Sequence, residues 1–176
     1  MLLFTDPART PDAAAIARRL PRGAGVVYRA FGAADAIEKG RTLASVCRRR
    51  GLILLVGADP ALAIRLGADG VHLPERLAFR AGQIRALGRR FRITAAAHGL
   101  PAARRAATAG VEVVVLSPVF PSRSPSAGRP LGLFVLALIV QRAGAPVYAL
   151  GGVNAHTGRR LKLTGAAGLA AVEALA

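Results

Sequence analysis

The chain has 176 residues, 53% of them hydrophobic, with 25 basic and nine acidic side chains and a formal charge of +16. That length suits a single domain over 1–176 with a sizeable core, and the apolar content excludes a disordered chain. One cysteine, Cys47, excludes a disulfide framework or a cysteine-based metal site and points to a cytoplasmic setting.

The start, MLLFTDPARTPD, lacks the basic-then-apolar pattern of a secretory leader. LLFT (2–5) reads as a strand and PDAAAIARRL (11–20) as a helix, with Pro11 at a first-turn position. RGAGVVYR (22–29) puts a glycine before a β-branched run, the pattern of a helix end feeding a buried strand. AADAIEKGRTLASVCRRR (33–50) is a helix, GLILLVG (51–57) a strand, and PALAIRL (60–66) a short helix. LGADGVHL (66–73) repeats the glycine-to-strand pattern, and RLAFRAGQIRALG (76–88) continues as a helix. FRITAAAH (91–98), PAARRAATAG (101–110) and TAGVEVVVL (108–116) read as strand, helix and strand. A polar loop follows, and then LGLFVLALIV (131–140), a helix apolar on every face. At ten residues it is roughly half the length of a bilayer span. Its outward face would want a partner, so a homodimer contact is expected through 131–140. PVYALGG (146–152), NAHTGRRLKLT (154–164) and TGAAGLAAV (164–172) complete the series.

Gly23, Gly67, Gly110 and Gly165 recur at two nearly equal intervals and one longer one. Each interval holds two strand-plus-helix units. Strands apolar on both faces belong to a parallel sheet covered by helices. Eight of them, alternating with helices, indicate a small α/β (β/α)8 TIM barrel whose last helix is missing or very short. An open doubly wound sheet is the alternative. The excess in the third interval falls on the loop after strand six, and barrel sites are built from loops at this end of the strands.

The basic residues are scattered in pairs and triplets such as Arg18-Arg19 and Arg48-Arg49-Arg50, with no aromatic residues between them to stack on bases. The charge therefore reads as a solvated, anion-attracting surface, and neither nucleic acid nor a membrane is the expected partner. Gly151-Gly152, ahead of the helix-capping Asn154, form either a phosphate cradle or a tight turn needing positive φ. His98 ends strand five, where an imidazole can shuttle protons or simply cap. His72, with Glu75 three residues on, could be an acid/base couple, a pair of metal ligands or a structural histidine. His156 faces solvent. Arg29 closes strand two, suited to a bound carboxylate or phosphate or to an ion pair. Ser117, Ser122, Arg123 and Ser124 give the loop hydroxyls and a cation, stiffened by Pro118, Pro121 and Pro125.

ADGVHLPE (68–75), AAAHG (95–99), VVVLSPVFPSRSP (113–125), PVYALGGVN (146–154) and GAAGLAAVEA (165–174), in that order, resemble the thiamine phosphate synthase/TenI superfamily of barrels. The synthase branch joins a pyrimidine pyrophosphate to a thiazole phosphate with Mg²⁺. Against its motifs this chain keeps Arg29 but has Phe31 for a lysine, Gly57 and Ala58 for an asparagine and a metal aspartate, and Leu77 for a second metal aspartate. Asp59 remains, and Pro125 or Ser126 stands where the loop lysine would be. A pyrophosphate leaving group needs metal and cations. The TenI branch tautomerises a thiazole carboxylate phosphate without metal, and the resemblance implies His98 as its acid/base. It also implies phosphate turns at Gly151, Gly152 and Val172, with Glu173 where the family has a small hydroxyl residue.

The expectation is a metal-free, TenI-like thiazole tautomerase binding a small phosphorylated heterocycle. Arg29, His72, Glu75, Ser117, Ser122 and Ser124 surround the ligand, and no cofactor is needed. The alternatives are thiamine phosphate synthase, which would bring Mg²⁺, and a non-catalytic ligand-binding member.

Overall fold

The computed structural model describes residues 1–86, 91–122, 124 and 128–173. Eight parallel strands close into a barrel in sequence order. They are β1 (Leu2–Phe4), β2 (Gly25–Tyr28), β3 (Ile53–Gly57), β4 (Gly70–Leu73), β5 (Arg92–Ala97), β6 (Val113–Leu116), β7 (Val147–Ala149) and β8 (Gly168–Ala171). The ring closes where Leu2 and Leu3 of β1 pair with Ala170 and Ala171 of β8. The α-helices of the described residues are α1 (Ala13–Arg19), α2 (Ala36–Arg50), α3 (Pro60–Leu66), α4 (Ala81–Arg85), α5 (Leu100–Thr108), α6 (Gly132–Arg142) and α7 (Ala155–Arg160). None of them is long and apolar enough to cross a membrane.

Strand alternation sorts the apolar residues into two cores. Leu2, Phe4, Val27, Leu55, Val115 and Ala170 point inward and cluster, with Tyr148, Leu150 and Val172 packed against them. Their neighbours in sequence, including Leu3, Val26, Leu54, Val114 and Leu116, face outward onto the helices in a larger core. The inward set fills the barrel with side chains, as the fold requires. The same alternation turns His72 and Thr94 inward, and the β4–β5 register makes them direct partners.

The helices follow local chemistry. Asp12 caps α1 by accepting from the Ala15 N–H at 2.8 Å, so Pro11 lies just before the cap rather than in the first turn. Asp59 caps α3 in the same way, accepting from Leu62 N–H at 2.9 Å, with Pro60 at the first helical position. The helix expected over 76–88 is instead a 3-10 turn over Glu75–Arg80 followed by α4, and 87–90 lie outside the described residues. The last helical pattern likewise splits into α7 and a 3-10 turn over Leu161–Thr164. In α6, Leu136 and Ile139 are buried while Phe134 is 83% exposed, and Leu163 in the 3-10 turn after α7 is 90% exposed. The helix therefore has an inward and an outward side despite its uniformly apolar sequence.

Candidate active site

The C-terminal ends of the strands surround an open cavity of about 1050 Å³. His98 follows the last residue of β5 and lines it. Leu73 pairs with Ala95, so the chains leaving β4 and β5 emerge side by side and bring Glu75 to His98. The Glu75 carboxylate oxygen Oε2 accepts from the His98 backbone N–H at 2.9 Å and from ring Nδ1–H at 2.7 Å. Arg105 lies 3.8 Å from the other oxygen, Oε1. A carboxylate on Nδ1 fixes the tautomer and leaves Nε2 as a proton acceptor.

Of the three readings of His72, the structural one is realised, and no pairing with Glu75 is formed. His72 is buried inside the barrel, its Nδ1 2.9 Å from the Thr94 hydroxyl and its ring edge-on to Phe4 with centroids 4.9 Å apart. Burial, and then the nearby Arg29 charge, push its pKa down to about 3. A ring held neutral in this way is a hydrogen-bonding floor for the cavity and no proton shuttle.

Arg29 also lines the cavity, but its guanidinium is largely engaged. Nε donates to the Thr5 carbonyl at 2.6 Å, and an Nη lies 3.5 Å from Asp6. The plane sits over Phe4 and Phe31, at 5.6 and 5.2 Å from their centroids. Of the two readings of Arg29, the ion pair is thus realised. Asp6 also holds Arg9 at 3.2 Å. Burial raises the Asp6 carboxyl, but hydrogen bonds from the Arg9 side chain and from the Arg9 and Ala8 N–H groups outweigh it and hold the pKa below its usual value. The sequence reading missed Asp6 and Arg9. The available signal was an aspartate directly after the first strand with an arginine three residues on.

Gly151 and Gly152 have φ of +93° and +64°. A Cβ on Gly151 would lie 2.8 Å from Pro118, and one on Gly152 would lie 2.7 Å from Phe120 Cβ. The loop after β6 is seated there, Val119 N–H donating to the Leu150 carbonyl at 2.9 Å and Phe120 N–H to Gly151 at 3.0 Å. The missing Cβ atoms therefore admit the protein's own loop. Among the described residues, nothing accepts from the N–H groups of Gly151, Gly152 and Val153, and all three residues line the cavity. Asn154 and Thr157 lock the turn. Asn154 Oδ1 accepts from the His156 and Thr157 N–H groups, and the Thr157 hydroxyl donates to the Gly152 carbonyl, each at 2.9 Å. Consecutive free N–H groups in such a turn make an anion-binding concavity.

Val172 and Glu173 close the ring after β8, and both line the cavity. Glu173 faces the mouth with its carboxylate 3.8 Å from Arg9. Ser117, Ser122 and Ser124, in the loop after β6, line the rim beside the turn after β7, and Ser122 Oγ accepts from the Ser124 N–H at 3.2 Å. Arg123, Pro125 and Ser126 lie outside the described residues. His156 is exposed in α7, as expected.

Mg²⁺ needs several hard oxygen ligands in near-octahedral array. Asp59 uses its carboxylate to cap α3, Gly57 and Ala58 offer no side-chain donor, and Leu77 is apolar. Among the described residues no group of three or more His, Cys, Asp or Glu side chains is placed to hold a metal. Mg²⁺ is commonly held by one or two carboxylates together with substrate phosphates, and of these four positions only Asp59 carries a carboxylate, engaged as the cap of α3.

A family model described as thiamine monophosphate synthase (TMP-TENI) matches residues 2–175. The chain belongs to this family. A thiamine-phosphate synthase from Alcanivorax borkumensis is 34% identical over 183 positions, covering 98% of this chain and 82% of that protein. A putative thiamine-phosphate synthase 2 from Aquifex aeolicus is 32% identical over 120 residues, and the match spans 64% of its length and 68% of this chain. The solved thiamine phosphate pyrophosphorylase from Pyrococcus furiosus superposes with a TM-score of 0.83 at 26% identity, over 97% of this chain and 84% of that one. The chain spans less than two thirds of the length of several relatives that it matches, and its barrel is that of the family.

Proposed function

We propose that the mouth binds a phosphorylated thiazole-type heterocycle and moves a proton on it through His98, without a metal. The observation that carries this reading is the 2.7 Å bond between Glu75 and His98 Nδ1, beside a cavity lined by N–H groups that no described residue accepts from. The turn at Gly151–Val153 holds the phosphate, with the Ser122 and Ser124 hydroxyls on the adjoining loop after β6. Glu75 keeps the imidazole in one tautomer and one orientation. His98 Nε2 takes a proton from the ring of the ligand and returns it to a different ring atom, so the product is an isomer and nothing is consumed. Holding both atoms within reach of one nitrogen supplies the proximity that the step needs.

A second reading, joining a pyrimidine pyrophosphate to a thiazole phosphate, is favoured by the relatives, whose names are synthase names. The same phosphate turn serves both readings, and the donor set at Asp59 and Leu77 speaks for the first. Two assays separate them: pyrophosphate release from the synthase substrate pair with Mg²⁺, and isomerisation of a thiazole carboxylate phosphate in chelator. Activity in the first alone replaces the tautomerase reading with the synthase one. Absence of both, with thiazole phosphate bound, leaves a ligand-binding member. The expected homodimer contact through 131–140 rests on the exposed Phe134 and Leu163, and light scattering in dilute solution tests it.

A further inference from the structure

Outside the mouth, a second depression of about 640 Å³ lies between the 3-10 turn after β4 and α5. Ala78, Ala102 and Ala109 line it and leave it open, since none of them carries a side chain beyond Cβ. The volume falls within the range of small-ligand pockets, roughly 300–1,000 Å³.

Its walls combine one aromatic face with three cations. Phe79 is 68% exposed, and no described arginine stacks on its ring. Arg76 comes from the same turn as Phe79 and also lines the mouth, while Arg104 and Arg105 come from α5. Thr108, one helical turn beyond Arg104, adds a hydroxyl. Among the described residues, Glu75 is the one acid that lines the groove, and it already accepts two hydrogen bonds from His98. Arg105 reaches the other Glu75 oxygen only at 3.8 Å, and neither Arg76 nor Arg104 forms an ion pair with a described residue.

That combination selects a ligand chemistry. A guanidinium presents a planar fork of donors that matches phosphate oxygens, and an exposed aromatic ring stacks on any flat heterocycle. A free phosphate would leave Phe79 in water, and an uncharged heterocycle would leave the arginines unmatched. We infer that the groove is a second ligand site, for a phosphate-bearing aromatic molecule of the nucleoside monophosphate class. The base lies on Phe79 and the phosphate on Arg104 and Arg105. The site makes no use of the turn after β7, so it stands apart from the proposed function. The two meet at one point: an anion that engages Arg105 changes the charge beside the Glu75–His98 pair.

Calorimetry with AMP, adenosine and inorganic phosphate tests the site. The wild-type protein should bind AMP roughly tenfold or more tighter than either half, because AMP alone meets both the ring and the cations. Phe79→Ala and Arg104→Ala, both at exposed positions outside the mouth, should each weaken AMP by roughly tenfold. Arg41→Ala, which removes an exposed charge from α2, should leave it unchanged and so excludes a general effect of net charge. Saturating AMP should also shift the NMR signals of the His98 ring in the wild type and leave them nearly unmoved in Arg105→Ala. Unchanged AMP affinity in both Phe79→Ala and Arg104→Ala would put the nucleotide elsewhere and overturn the site. AMP bound no tighter than phosphate, or an acidic peptide bound where AMP is not, overturns the ligand class. A His98 ring that ignores AMP in the wild type overturns the link through Arg105.

Discussion

Glu75 accepts two hydrogen bonds from His98, one from the backbone N–H at 2.9 Å and one from ring Nδ1–H at 2.7 Å. The first fixes where the residue sits and the second which way its ring faces. A residue held at both points loses little freedom when a ligand arrives.

That double bond separates the effects of two substitutions. His98→Ala should lower turnover of the thiazole carboxylate phosphate by about 10²–10⁴-fold, the usual contribution of a positioned acid/base group, with ligand affinity nearly unchanged. Glu75→Gln keeps the shape but loses the charge, and should lower kcat by a smaller factor with KM held. Steady-state kinetics on both variants checks this, and a rise in KM alone would assign the pair to binding.

His72 predicts the direction of acid sensitivity. Its folded-state pKa, about 3, lies below its ordinary value of 6.5, so the unfolded chain binds the extra proton between those two values. The neutral buried ring therefore contributes stability that is fully present above about pH 6.5 and drains away as pH falls towards 3. The slope is about 1.4 kcal/mol per pH unit inside that window. Urea unfolding between pH 7 and 4 should show a steeper loss in the wild type than in His72→Asn. Parallel losses would mean that the ring is charged in the folded protein.

The turn after β7 predicts a packing defect. Gly152→Ala places a methyl against Phe120 at a φ of +64° and should cost about 1–3 kcal/mol. The displaced loop should also weaken phosphate binding, because it carries Ser122 and Ser124. A thermal melt and a phosphate titration on one preparation read both effects.

Cys47 is buried in α2, and burial followed by the Asp69 charge pushes its thiol up to about 11. It should be silent to a thiol reagent in the native protein and react with one equivalent on unfolding. Rapid labelling without denaturant would contradict the packing of α2 on the barrel.

Much of this architecture was legible because it repeats. Gly23, Gly67, Gly110 and Gly165 all adopt positive φ, and their spacing marks the strand-plus-helix units correctly. Strand alternation is local too, and it places His72 inside the barrel. The partner of Glu75 was not legible, because the choice between His72 and His98 depends on where the chain turns after β4. There a 3-10 turn replaces the expected helix and carries Glu75 towards β5. The direction of the absent Cβ atoms at Gly151 and Gly152 was equally hidden, since it depends on a loop folding back from β6. Asp6 and Arg9 escaped because their significance is set by Arg29 on the next strand and by Glu173, far away in sequence and adjacent in space.

The central claim is a metal-free proton transfer through His98. The most direct measurement is deuterium incorporation into a thiazole carboxylate phosphate in D₂O with excess chelator, followed by NMR. The wild type should exchange and isomerise the ligand, and His98→Ala should bind it but exchange it at least about a hundredfold more slowly. Exchange that is equal in the two proteins, or that appears only when Mg²⁺ is restored, would contradict the account.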